Sequence, residues 1–157
     1  MEILVRISYF VIPIISLGIA ALNHFFTSYG MSWYKTIALP SFTPPRWVIE
    51  IMWQLIYLLT TIAVIIVWNR FKRNMRFWLI MILFVINAFL NVYWHYLFFY
   101  QHQIGAAIIG SLFLQLTVLL LIFLLWPLSR MISWFLIPYA IWEFFAIFLT
   151  TVIWYMN

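Results

Sequence analysis

Residues 104–126 read IGAAIIGSLFLQLTVLLLIFLLW, a run without a single charged side chain. A helix of about 20 apolar residues spans a ~30 Å hydrocarbon core. The run is continuously apolar and lacks the in-and-out alternation of a barrel strand, so its backbone must satisfy its own hydrogen bonds as a helix. Similar runs fall at about residues 7–27, 46–68, 77–99 and 132–155. The reading is an all-α, five-helix transmembrane bundle forming one domain over residues 1–157.

Composition agrees, since 68% hydrophobic against 7% charged residues leaves too little polar surface to cover a water-soluble globule. The breaks are a proline-rich linker at 28–45, the basic stretch 70–76, Gln101-His102-Gln103 and the turn Pro127-Leu128-Ser129-Arg130. The first apolar run carries no small-residue cleavage site, so its helix is expected to be retained. With no cysteine, disulfides, thiolate nucleophiles and cysteine metal sites are excluded.

Five spans gather Arg6, Arg70, Lys72, Arg73, Arg76 and Arg130 on one side and leave Lys35 and Arg46 on the other. The bias of positive charge toward the cytoplasm then puts the amino terminus inside and the linker outside. The net charge of +5 is topogenic and faces lipid headgroups; nothing else supports a nucleic-acid partner.

Polar residues within the spans fall on stripes. Asn87, Asn91 and His95 share one face of the third helix, and Glu50, Gln54, Tyr57 and Thr61 share one of the second. Glu143, Ala146 and Thr150 continue the pattern on the fifth, with Asn23, His24 and Thr27 ending the first. Most of these lie in the linker-side half, beneath Pro40, Pro44 and Pro45, whose fixed φ makes the linker a shaped lid. A cavity under that lid, walled by Trp and Phe, is the expected small-molecule site.

Competing readings accompany these residues. Amides in membrane helices also simply bond neighbouring helices, which applies to Asn87 and Asn91. Glu143, near mid-membrane, must be neutral, paired or hydrated. His24, His95 and His102 could in principle ligate haem iron, but a histidine without a motif is weak evidence and no metal site is assigned. No catalytic triad, phosphate loop or paired carboxylates can be read. Ala106, Ala107, Gly110 and Ser111 allow close helix approach, either between two copies or within one bundle.

Several motifs in order resemble the TspO/MBR family of tryptophan-rich sensory and translocator proteins. They are Trp33-Tyr34, Pro40-x-Phe42-x-Pro44-Pro45-x-Trp47, Trp53 with Tyr57, Asn91-x-x-Trp94-x-x-Leu97-Phe98-Phe99 and Pro138-Tyr139-x-x-Trp142-x-x-x-Ala146. The resemblance implies a homodimeric bundle in a bacterial membrane, or in the mitochondrial outer membrane of a eukaryote. It implies a pocket for protoporphyrin IX or haem under the first loop, with no required cofactor. Matching positions put Trp47, Trp53, Asn91, Trp94, Trp142 and Ala146 at that pocket. Together with the stripes and the lid, the expected ligand-binding set adds Trp33, Tyr34, Pro44, Glu50, Tyr57, Asn87, His95, Phe98 and Glu143.

The implied function is a membrane sensor or receptor for a tetrapyrrole, with Lys35 or Arg46 meeting its propionates. One alternative is light-dependent porphyrin degradation, with Trp47 or Trp142 as electron donor; another is a carrier of porphyrin, haem, lipid or sterol. The chain departs from the family pattern at Glu50 (usually a small residue), Asn87 (often Gln), His95 (often Ser), Glu143 (usually apolar) and Thr150 (often Asn). After Tyr155 come only Met156 and Asn157, so the basic residue of a cholesterol-recognition pattern is missing and specific sterol recognition is not expected.

Overall fold

The computed structural model describes the backbone of residues 2–157 and the side chains from Ile7 onward, so the Arg6 side chain lies outside the described residues. Five helices follow in order: α1 Glu2–Tyr34, α2 Arg46–Arg70, α3 Met75–His95, α4 Ile104–Leu125 and α5 Arg130–Met156. A π-helical segment, Tyr96–Tyr100, prolongs α3. All five are long and apolar enough to cross a membrane.

The largest departure from expectation is at the end of α1, which runs to Tyr34 and shortens the linker to residues 35–45. Trp33 and Tyr34 therefore sit on the last helical turn and not in the lid. No proline interrupts residues 28–34, and tertiary packing extends the helix where the apolar run has already ended. Tyr29 lies 4.8 Å from Tyr100 and Tyr34 lies 5.8 Å from Phe99, ring centre to ring centre. Gly30 makes this seam possible, because a Cβ there would strike the Phe99 carbonyl.

The π segment ends where the Gln101 amide donates to the Tyr96 carbonyl at 2.9 Å and the Gln103 amide reaches back to Leu97 at 2.9 Å. Between them His102 takes φ 56°, a left-handed conformation, and its ring stacks on Trp33 at 4.3 Å. The lid is also tied down. Phe42 stacks on Phe148 at 5.5 Å, Pro40 is buried, and the Asn157 amide clasps both backbone groups of Ala38, accepting at 2.9 Å and donating at 3.0 Å.

At the opposite, basic end, Ala63, Val67, Phe77, Ile80, Leu121, Leu125, Ile132 and Leu136 form a close-packed core. Arg73 lies 4.3 Å over the Trp68 ring, and Arg76 donates to the Leu124 carbonyl at 2.8 Å. Outward faces carry large apolar side chains such as Phe10, Phe89, Phe123 and Ile141, as lipid contact demands. Ala107, Gly110 and Ser111 are buried inside the bundle, so this small-residue face serves internal packing of α4.

Mid-bundle, one chain of hydrogen bonds joins all five helices. Asn23 donates to the Tyr57 hydroxyl at 2.6 Å, and Tyr57 donates to Asn91 Oδ1 at 3.1 Å. Asn91 donates to the Tyr139 hydroxyl at 3.3 Å, which donates to Asn87 Oδ1 at 3.2 Å. Asn87 donates to Thr117 at 2.9 Å, and Thr117 closes on the Leu114 carbonyl at 2.7 Å. Such bonds average about 0.6 kcal/mol in membrane bundles, so the chain contributes to register as much as to stability.

Candidate functional site: a lid-side cavity

Above this chain, on the lid side, lies a cavity of about 440 Å³. Its walls come from the second half of α1, the first three turns of α2, the junction of α3 with the π segment, and α5 from Trp142 onward. Trp53, Trp94, Phe98 and Trp142 supply aromatic faces, with Trp94 and Phe98 stacked at 5.1 Å and 8°. Ala146 keeps the α5 wall open between Trp142 and Thr150. Arg46 and Glu50 form an ion pair at 2.6 Å on the α2 wall, both side chains more than half exposed.

His95 is the most constrained polar side chain in the wall, at 5% exposure. Its Nδ1 lies 2.8 Å from the Asn91 carbonyl, which can only accept, so Nδ1 carries the hydrogen. In the neutral ring the lone pair is then on Nε2, on the far side from the helix backbone. Nε2 makes no hydrogen bond among the described residues. Trp53 and Trp94 meet the ring edge-on at 5.8 and 5.0 Å, and Phe99 stacks on it at 6.2 Å. The indole N–H groups of Trp94 and Trp142 are also buried without partners.

Of the residues expected from sequence, Tyr34, Glu50, Trp53, Tyr57, Trp94, His95, Phe98, Trp142 and Ala146 line this cavity. Trp33 stands behind the wall, packed on Phe98 and His102. Pro44 and Trp47 lie outside it, and Trp47 is 63% exposed. Asn87 and Asn91 border a second, inner cavity and are engaged with neighbouring helices. Glu143, at 2% exposure, borders neither cavity and makes no hydrogen bond or ion pair among the described residues. Lys35 does not reach the wall, so Arg46 is the basic residue there.

Phe145, Leu149 and Ile153 belong to the wall but were not expected from the motifs. They lie three or four positions from Trp142, Ala146 and Thr150, so extending the α5 stripe by helical spacing would have found them.

With this geometry in view, sequence comparison is decisive. Residues 10–156 match the TspO/MBR family. The chain belongs to the TspO/MBR family. Tryptophan-rich protein TspO of Bacillus cereus is 32% identical over 146 residues, covering 85% of this chain and 94% of that protein. The protein of the same name from Archaeoglobus fulgidus is 31% identical over 149 residues, covering 94% of each. Protein CrtK of Rhodobacter capsulatus is 25% identical over 126 residues, covering 80% of this chain and 79% of its own. The five spans and these prokaryotic relatives make this TspO/MBR member a multi-pass membrane protein of bacterial type.

Proposed function

We propose that this TspO/MBR protein is a membrane sensor or receptor whose lid-side cavity binds a tetrapyrrole. The observation that carries the reading is the combination of Trp53, Trp94, Phe98 and Trp142 around one cavity with Arg46 on its wall. Flat apolar rings suit the faces of a macrocycle, and a guanidinium suits a propionate. The test is a dark titration of detergent-purified protein with protoporphyrin IX, following tryptophan quenching. Saturable binding with unit stoichiometry is the expected result, and strictly linear quenching would sink the proposal.

Light-driven porphyrin breakdown is a second reading, favoured by the position of Trp142 in the wall. Of its two candidate electron donors only Trp142 lines the cavity, since Trp47 points away from it. Illumination of the complex should then bleach the pigment faster than free pigment, and Trp142→Phe should slow that bleaching.

A further inference from the structure

We infer that His95 is a metal ligand in the lid-side cavity, its Nε2 coordinating the central ion of a metallated tetrapyrrole, so that this chain favours the metal-bearing ring over the metal-free one. The inference rests on the tetrapyrrole reading above and adds the subclass of ligand. Three observations carry it. The bond from Nδ1 to the Asn91 carbonyl fixes the tautomer and leaves Nε2 free, as in metal-binding histidines whose other ring nitrogen is held by a carbonyl that orients the ring and raises its basicity. Trp53, Trp94 and Phe99 pack around the ring, which lines the cavity. Finally, no group of three His, Cys, Asp or Glu that could hold an ion occurs among the described residues, so a bare ion would find fewer than three such donors. A macrocycle brings four nitrogens of its own, and one axial histidine completes its site.

A metal-free ring offers Nε2 no central ion, and a buried acceptor is left unmatched. His24 lines the same cavity but is exposed, and its Nε2 already contacts Ser28 Oγ at 3.3 Å. His95 is therefore the axial group.

The test uses the full chain in detergent, titrated in the dark with ferric haem and, separately, with metal-free protoporphyrin IX. Haem should show the shifted Soret band of axial imidazole ligation. His95→Ala should abolish that shift and weaken haem binding at least about tenfold, while protoporphyrin affinity stays within about twofold. Added imidazole should restore the spectrum of His95→Ala, and His24→Ala should leave the native spectrum unchanged. His95→Gln fills the space without supplying a ligand; retained protoporphyrin binding certifies its fold, and its haem spectrum should match that of His95→Ala. A native haem spectrum in either His95 variant, its loss in His24→Ala, or equal weakening of both ligands would overturn the inference while leaving the tetrapyrrole reading intact. Failure of both ligands to bind the native protein would overturn both.

Discussion

The lid-side cavity, at about 440 Å³, and the inner cavity, at about 340 Å³, are close in size and share Tyr57 as a wall. They differ in what their polar atoms are doing. Asn87, Asn91 and Tyr139 border the inner cavity with their bonds spent on other helices, only the Thr60 hydroxyl among the buried polar atoms of that wall is without a partner among the described residues, and the rest of the wall is largely aliphatic. The lid-side wall instead presents His95 Nε2 without a partner, next to indoles whose N–H groups are also unpaired. A void in a membrane bundle is common space for an acyl chain. What marks a recognition site is polar atoms that the fold has oriented and left uncommitted.

The comparison can be broken most directly by filling each cavity in turn. Ala146→Phe should weaken protoporphyrin binding by about tenfold to a hundredfold, since overpacking costs roughly 1–3 kcal/mol. Ala88→Phe adds the same bulk to the inner cavity and should leave affinity within about threefold by the same titration. Equal losses would show that the two cavities act as one. Next in size, Asn91→Leu removes bonds that reach α1, α2 and α5, and should lower stability by about 1–2 kcal/mol, read from thermal unfolding in detergent. Thr117→Val removes the bond from Asn87 that ties in α4, along with a bond inside α4 to the Leu114 carbonyl, and should cost roughly 0.6 kcal/mol. If the two variants melt alike, the chain is not centred on Asn91.

The smaller effects sharpen the lid-side wall. Trp142→Phe keeps an aromatic face and should weaken protoporphyrin by about threefold, less than 1 kcal/mol. Glu50→Gln releases Arg46 from an exposed i,i+4 ion pair worth at most about 0.5 kcal/mol. Stability should hardly move, while affinity for a dicarboxylate ring should rise by up to about twofold at low salt and return to the native value at high salt. Persistence of the gain at high salt would mean that Arg46 does not act through charge.

The sequence carries the five-helix architecture openly, because spanning length and continuous hydrophobicity are local properties. The polar stripes carry the convergence of Glu50, Gln54 and His95 toward one half of the bundle for the same reason: 3.6-residue spacing is local too. What spacing does not carry is the direction of a side chain relative to other helices. Asn91 and His95 lie one turn apart on one face, yet Asn91 turns to α1, α2 and α5 while His95 joins the cavity wall. Trp47 shares the aromatic run of the lid and points outward because its place on the first turn of α2 faces away from the bundle. The extension of α1 to Tyr34 depends on Gly30 meeting Phe99, a contact 69 positions distant that no local pattern encodes.

The mid-bundle chain has a bioenergetic consequence. Each phenol in it lies between two carboxamides: Tyr57 receives from Asn23 and gives to Asn91, and Tyr139 receives from Asn91 and gives to Asn87. Hydroxyls in an unbroken row can hand protons along by exchanging bonds, but an amide can do so only by passing through its imidic acid tautomer. The row is therefore a poor conductor of protons, although it links all five helices across the middle of the bundle.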